Sequence, residues 1–269
     1  MMDNRDTLSL RATFDEQAQL YDQARPGYPP QVFEDILGFS QIAPGGRILE
    51  IGCGTGKATL PFAQRGYHIL CIELGANLAA VARRNLAPYP GVRVYTGAFE
   101  EWAVEPEAFD LAISATAFHW IDPAVRYHKA AQALRTDGTL ALFWNQHVYS
   151  DAGAEFFAAA QQVYRREAPM LAKEDVEPIP RAEQVPEPVK SEIEATNLFG
   201  PVTVRRYPWE ESYDSASYIG LLNTYSGHLA LDPDTRQRLF EGLAELIDSR
   251  FGGRITKGYL TILYLARRK

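Results

Sequence analysis

The sequence predicts an α/β fold in which a mostly parallel sheet carries helices on both faces. Between residues 30 and 145, short apolar segments alternate with amphipathic segments of helical period. Strands joined by helices of this length need crossover connections, which make neighbouring strands parallel. Residues 140–144 are apolar throughout, as is typical of a strand buried on both faces.

Helix and strand signals divide residues 30–145 into alternating elements. Proline at the first helical position marks a helix beginning at Pro30, and Asp122 with the following proline marks another that ends near Gly138. A third helix begins near Pro61 and ends at Gly66, and residues 77–86 form a fourth. The predicted strands are 47–51, 67–72, 92–95, 109–114 and 139–144.

The alternation ends after residue 145. Helices are predicted at 151–166, 215–231 and 233–250, and strands at 202–207 and 259–266. Residues 173–190 hold four prolines among charged residues, which favours a linker. Four regions are therefore expected: an N-terminal arm (1–29), a core (30–145), a mainly helical lid insertion with strand six (146–231), and a last helix and strand that complete the sheet (232–269).

Composition narrows the class of protein. The 269 residues carry a net charge of −7, and a nucleic-acid-binding protein usually shows a basic face. Neither Cys53 nor Cys71 lies in a zinc-binding spacing, so no metal site is expected. The polar first ten residues do not match a signal peptide, and no apolar run has the length of a membrane span. We expect a cytoplasmic protein without nucleic-acid or membrane partners; no oligomeric state is predicted.

The most specific motif is a glycine cluster between the first strand and its helix. Gly52, Gly54 and Gly56 follow the pattern G-x-G-x-G, which lets the backbone approach a ligand closely. A dinucleotide-binding turn requires G-x-G-x-x-G, and Lys57 occupies the place of its third glycine. No phosphate-binding P-loop pattern is present either.

Two acidic residues accompany the glycines. Glu50 ends the first strand, where its carboxylate repels a pyrophosphate and favours a ligand with an ammonium group. Glu73 ends the second strand, where a carboxylate accepts the two hydroxyls of a ribose. S-adenosylmethionine (SAM) carries an ammonium, a sulfonium and a ribose, so it satisfies both residues.

With these residues, the chain resembles the class I SAM-dependent methyltransferases, in particular the small-molecule group that includes the ubiquinone/menaquinone and trans-aconitate methyltransferases. The resemblance covers roughly residues 14–145. It implies a Rossmann-like seven-stranded sheet whose last, antiparallel strand is 259–266. It also implies that SAM is bound and S-adenosylhomocysteine (SAH) released. Many relatives carry aspartate where this chain has Ala98, so a backbone contact to adenine is expected there.

The resemblance also assigns residues around the cofactor. Tyr21 and Arg25 of the arm would contact the cofactor's methionine end or the sulfonium region, with an arm that only packs on the core as the alternative. The backbone near Ala115 would face the methionine end. The loop after strand three would cover the adenine. The full predicted cofactor set is Tyr21, Arg25, Glu50, Gly52, Gly54, Thr55, Glu73, Leu74, Phe99, Glu100 and Ala115.

The acceptor site is predicted after strand four and in the insertion. His119 is the candidate general base, with a purely structural histidine as the alternative. Polar groups among aromatic residues are typical of ligand pockets, and the residues predicted to bind the acceptor are Tyr28, Trp120, Tyr218, Tyr225 and His228.

Three functions are compatible with the motifs. The first is methyl transfer from SAM to an O, N or C atom of a small organic acceptor. The second is a SAM-binding regulatory module without turnover, and the third is a nicotinamide-dependent oxidoreductase. Lys57 and Glu50 argue against the third. The sequence does not identify the acceptor.

Overall fold

One sheet of seven strands organises the computed structural model, which describes residue 15, residues 18–172 and residues 179–269. The strands are β1 (Arg47–Ile51), β2 (His68–Glu73), β3 (Val92–Thr96), β4 (Phe109–Ala115), β5 (Leu134–Val148), β6 (Thr203–Asp214) and β7 (Arg254–Arg267). Their spatial order is β3-β2-β1-β4-β5-β7-β6. The first five are parallel, and β7 runs antiparallel to both β5 and β6. The predicted fold class is therefore confirmed.

Helices cover both faces of this sheet and form a further layer. They are α1 (Ala18–Ala24), α2 (Pro30–Ser40), α3 (Leu60–Ala63), α4 (Ala76–Leu86), α5 (Arg126–Ala133), α6 (Ala154–Glu167), α7 (Pro188–Ala195), α8 (Ser215–Leu222), α9 (Ser226–Leu229) and α10 (Pro233–Arg250). The α2 side chains share one apolar cluster with Ile113 and Phe143, whereas α5 and α7 pack on the opposite face with Leu142. Among the described residues, no helix has both the length and the apolar character to cross a membrane.

A third apolar cluster lies beyond the carboxyl edge of the parallel strands. There α6, α8 and α10 pack together and against the ends of β6 and β7. Burial of Phe156, Leu221 and Leu243 at 0–1% exposure removes their side chains from water and stabilises this layer. This layer stands next to the site described below.

Several predicted boundaries were wrong. The helix expected to end near Gly138 ends at Ala133, and β5 begins at the next residue. The single helix expected over 215–231 is two helices, α8 and α9, separated by a short turn. Part of the expected linker is helical, because Pro188 is the first residue of α7.

Other expectations fall on chain that is not described. Residues 1–14 and 16–17 of the predicted arm, and residues 173–178 of the predicted linker, lie outside the described residues.

Candidate functional site

A cavity of about 510 Å³ opens at the carboxyl ends of β1, β2 and β4. Its walls come from the glycine turn after β1, the loops after β2, β3 and β4, the arm, and the extended ends of β5 and β7. In open α/β sheets the carboxyl ends of the strands are where ligands bind. The cavity is thus where the fold and the sequence motif both place a ligand site.

The glycine turn has the backbone that the motif predicts. Gly52, Gly54 and Gly56 have φ values of +71°, +57° and +89°, which glycine adopts without strain. A Cβ on Gly52 would lie 2.5 Å from the Ala117 side chain, so that position has no room for a larger residue. A Cβ on Gly54 would meet nothing within 4 Å. The backbone at Gly54 therefore lines open space that a ligand can enter.

Glu50 is completely buried two residues before this turn. Neither of its carboxylate oxygens has a hydrogen-bond partner among the described residues. Burial raises the pKa of Glu50 to about 8, while the nearby Thr59 hydroxyl acts in the opposite direction. A buried carboxylate of this kind is stabilised by a cation close to it. Glu50 is therefore suited to a positively charged ligand group.

Glu73 is held in position by the turn itself. The Gly54 N–H donates to one carboxylate oxygen at 2.7 Å, and the Gly75 N–H donates to the other at 2.9 Å. Burial raises the pKa of Glu73, and these backbone bonds partly offset that effect. Each oxygen keeps a further lone pair for a ligand hydroxyl.

The arm is tied to the sheet near the cavity. The Tyr28 hydroxyl lies 2.8 Å from that of Thr116, whose φ of +54° is unusual for a residue other than glycine. The Asn145 side-chain amide donates to the Gly27 carbonyl at 2.9 Å. Asn145 in turn accepts from Thr261, whose hydroxyl also accepts from the Trp209 indole. Five separate segments, namely the arm, the loop after β4, and strands β5, β6 and β7, are thereby joined beside the cavity.

Arg25 connects the arm to the turn between α8 and α9. Its guanidinium donates to the side chain of Thr224 at 2.8 Å and to the Thr224 carbonyl at 2.9 Å. It also lies over the Tyr225 ring, 4.6 Å from the centroid. No carboxylate among the described residues lies within 4 Å of Arg25, so its charge is available to a ligand in the cavity that it lines.

His119 lies at the side of the cavity after β4. The Trp144 indole N–H donates to His119 Nδ1 at 3.0 Å. Because an indole nitrogen only donates, Nδ1 must accept, and the neutral imidazole carries its proton on Nε2. Nε2 then carries the proton of the neutral ring. It can donate a hydrogen bond, but it cannot take up a proton from a substrate as a general base would.

The extended ends of β5 and β7 form the wall farthest from the glycine turn. His147 pairs with Tyr259 across the two strands, and both residues line the cavity. Tyr259 stacks on Trp209 with centroids 4.8 Å apart, and its hydroxyl lies 2.9 Å from that of Tyr213. This wall is aromatic with polar tips, as is typical of small-molecule sites.

The structure brings most of the predicted residues together. Glu50 is buried behind the turn, and Tyr218 and His228 do not line the cavity. Tyr218 packs in the third apolar cluster, and His228 Nε2 lies 2.8 Å from the Tyr164 hydroxyl. Burial lowers the pKa of His228 to about 4. The predicted residues that line the cavity are Tyr21, Arg25, Tyr28, Gly52, Gly54, Thr55, Glu73, Leu74, Phe99, Glu100, Ala115, His119, Trp120 and Tyr225.

Sequence reasoning missed the far wall. Asn145, His147 and Tyr259 line the cavity although none was predicted to do so. A signal for the first two was present, since the apolar run 140–144 is followed by Asn-Gln-His while the strand continues to Val148. Tyr259 gave no such signal, because a tyrosine within a buried strand is more often part of the core.

Comparisons with known proteins agree with this geometry. Residues 48–138 match the methyltransferase domain family. An uncharacterized methyltransferase of Mycobacterium tuberculosis is 31% identical over 136 residues, which are 51% of this chain and 53% of that protein. The chain thus spans about half the length of the curated relatives it matches.

Solved structures share the fold over most of the chain. A protein of Anaeromyxobacter dehalogenans assigned as a type II methyltransferase has a TM-score of 0.60 at 23% identity, over 90% of this chain and 97% of that one. Phosphoethanolamine N-methyltransferase 2 of Haemonchus contortus, solved with S-adenosyl-L-methionine, has a TM-score of 0.56 at 16% identity, over 100% of this chain and 60% of that one.

Proposed function

Because residues 48–138 belong to the methyltransferase domain family and the sheet is that of the class I, SAM-dependent methyltransferases, we propose that this chain transfers the methyl group of SAM to a small organic acceptor. The observation that carries the proposal is Glu50, a buried carboxylate without a hydrogen-bond partner among the described residues, beside a glycine turn with open space above it. The residues present fit SAM, whose ammonium would supply the missing partner.

Each part of the cofactor has a complementary residue. Glu50 would hold the ammonium, and Glu73 would accept the ribose hydroxyls through the lone pairs that the backbone leaves. Arg25 would bind the methionine carboxylate. Leu74 and Phe99 line the cavity near Glu73 and provide apolar surface for the adenine.

When bound, SAM supplies a methyl group on a positively charged sulfur, so the leaving group needs no protonation. The chain's own contribution is to bind, orient and exclude water. His119 would donate its Nε2 proton in a hydrogen bond to an oxygen of the acceptor, and Trp120 would pack beside the acceptor. The role proposed for His119 is therefore orientation, in place of the base predicted from the sequence.

The first experiment is isothermal titration of the protein with SAH and with NAD. We expect micromolar binding of SAH and no binding of NAD. Glu73→Ala removes two charge-assisted hydrogen bonds to the ribose, which corresponds to at least about 100-fold weaker binding of SAH. The matched control is Glu101→Ala, which removes an exposed carboxylate of the loop after β3.

Transfer itself is tested with labelled SAM and the small-molecule fraction of a cell extract. A labelled product that depends on the wild-type protein and disappears with Glu73→Ala supports the enzyme. Tight SAH binding without any labelled product would favour the regulatory module instead. Heat on mixing with NAD, and none with SAH, would favour the oxidoreductase.

A further inference from the structure

Lys257 is a buried lysine beside the far wall of the cavity. It lies on β7 with 4% of its surface exposed. Side chains two residues apart on a strand share a face, so Lys257 follows Tyr259 in the same row, about 7 Å further along. The ammonium lies 5.3 Å from the centroid of the Phe157 ring and 5.4 Å from that of the Tyr259 ring. His147, which lines the cavity, packs on the same Phe157 ring at 4.7 Å.

This ammonium has no anionic partner in residues 18–172 and 179–269. Glu211 lies opposite Lys257 in the β6–β7 register, yet the two side chains form no ion pair. The two ring contacts attract a cation but leave its charge uncompensated. A buried lysine in this state requires an anion or loses its proton.

The charges around the cavity are arranged by sign. Glu50 and Glu73 lie at the glycine turn, whereas Arg25 contacts the Tyr225 ring, and Lys257, which lies outside the cavity lining, contacts the ring of Tyr259 in the far wall. Arg25 is close enough for its charge to lower the pKa of Lys257. The cofactor carries one carboxylate, which Arg25 would bind. Among the described residues, Lys257 is then a buried cation without an anionic partner, and it lies behind the Tyr259 ring of the far wall.

We propose that Lys257 binds the negative charge of the acceptor, so that the substrate is a carboxylic acid. Such a substrate presupposes the methyl transfer proposed above and specifies its acceptor class. A single ammonium compensates the single charge of a carboxylate but only part of the double charge of a phosphate. The His119 imidazole and the Tyr259 hydroxyl line the same cavity and add polar groups to it.

The proton of Lys257 is sensitive to pH near neutrality. Burial, followed by the charge of Arg25, lowers the pKa of Lys257 to about 7. The other titratable groups around it are His147 on β5, Tyr259 on β7, Tyr213 and Glu211 on β6, and Tyr225 after α8. Because only the protonated amine attracts an anion, binding of the acceptor should weaken as the pH rises through 7.

The test begins with the small-molecule fraction of a cell extract, separated on an anion exchanger at pH 8. Labelled SAM and the wild-type protein are added to the unbound fraction and to the salt eluate. We expect the labelled product from the eluate alone, and treatment of the eluate with alkaline phosphatase should leave its yield unchanged. Product from the unbound fraction, or loss of product after phosphatase, would overturn the carboxylic acid.

Substitutions of Lys257 then test whether this residue recognises the carboxylic acid acceptor. Lys257→Met keeps the length of the side chain and removes the charge, and it should lower kcat/KM for the eluate about tenfold or more. Lys257→Arg should retain activity and lose the decline above pH 7, because arginine stays protonated. Glu211→Gln, which removes a charge that forms no ion pair with Lys257, is the matched control and should keep kcat/KM near the wild-type value. Equal kcat/KM for wild type and a folded Lys257→Met would overturn the proposal.

The affinity for SAH distinguishes failure of this proposal from failure of the methyltransferase function on which it rests. Wild type and Lys257→Met should bind SAH equally, whereas a wild type that binds no SAH would overturn the methyltransferase itself. If Lys257→Met weakens SAH but not methylthioadenosine, which lacks the carboxylate and ammonium, Lys257 serves the cofactor carboxylate and the acceptor role is wrong. Thermal unfolding of each variant verifies that it is folded.

Discussion

At the residue scale, Glu50 gives a prediction about pH. Since its pKa is about 8 without ligand, the side chain is protonated below pH 8 and must lose that proton to face an ammonium. The affinity for SAH should therefore rise between pH 6 and pH 8, by up to about tenfold per unit. Isothermal titration in buffers of different ionisation enthalpy measures both the affinity and the released proton.

Two comparisons isolate this carboxylate. Glu50→Gln should bind SAH more weakly and without the pH slope. Methylthioadenosine has no ammonium, so its affinity should stay level over the same range. A slope for SAH that persists in Glu50→Gln would assign the proton to another group.

Trp144 gives a second prediction at this scale. Trp144→Phe keeps an aromatic ring and removes the donor that fixes the His119 tautomer. A lost hydrogen bond of this kind costs about 1 kcal/mol, so kcat/KM for the acceptor should fall about fivefold while SAH affinity stays unchanged. Thermal unfolding verifies that Trp144→Phe is folded. A Trp144→Phe profile identical to wild type in both kcat/KM and pH would argue against a role for this pair.

The sequence predicts some of these residues and not others. Glu50, the glycines and Glu73 are predictable because their roles depend on a local strand and turn. The tautomer of His119 is not, because it depends on an indole 25 residues later, on a neighbouring strand. The charge state of Lys257 likewise depends on two segments distant in the chain, through the ring of Phe157 and the charge of Arg25.

At the element scale, Thr261 joins β5, β6 and β7. Its hydroxyl donates to the Asn145 side chain and accepts from the Trp209 indole. Thr261→Val keeps the shape and leaves both of these groups unpaired, at about 1–3 kcal/mol each. We expect a loss of roughly 2–6 kcal/mol in the free energy of unfolding, measured with urea.

The control for Thr261 is on the neighbouring strand. Thr203→Val changes a β6 hydroxyl that has no hydrogen bond among the described residues, so its effect should stay within about 0.5 kcal/mol. Equal stability of the two variants would mean that water replaces the lost partners of Thr261.

At several element boundaries, strand pairing in the folded sheet overrides the preference of the local sequence. Gly138 reads as the end of a helix, but residues 134–138 belong to β5, whose Leu134 pairs with Phe109. Strand β6 is longer than its apolar pattern suggests, because β7 pairs with it as far as Asp214. Polar residues of β6 such as Glu210 and Glu211 carry no strand signal of their own.

At the scale of the whole molecule, the cavity joins the arm, the parallel core and the C-terminal strands. A ligand bound there contacts all three and favours the folded state by mass action. SAH at 100 times its Kd should add about 2.7 kcal/mol, which raises Tm by roughly 5–10 °C. Differential scanning fluorimetry should show a single unfolding transition, and SAH should shift that whole transition to a higher Tm.

The variant Glu73→Ala supplies the control, since about 100-fold weaker binding leaves only about 0.4 kcal/mol of stabilisation and a Tm shift of about 1–2 °C. A melt with two steps, of which only one responds to SAH, would contradict a single cooperative unit. It would indicate that the layer of α6, α8 and α10 unfolds apart from the parallel core.

The architecture as a whole was the most predictable feature. The spacing of apolar residues, with glycines at the ends of elements, covers enough of the chain to define the alternating core. The structure confirms that fold class. The acceptor side was less predictable, since Tyr218 and His228 look like pocket residues yet pack within the helical layer. Their short helices give no periodic signal that distinguishes an inner face from a ligand-facing one.

The position of β7 in the sheet has a consequence for biosynthesis. β7 is the last of the seven strands in the chain, yet it lies between β5 and β6. As the polypeptide leaves the ribosome, β6 emerges with no strand to pair with, and one edge of β5 stays open until β7 follows. Nascent chains that end before residue 254 therefore leave β6 without a paired strand and one edge of β5 open, which makes them candidates for chaperone binding during translation.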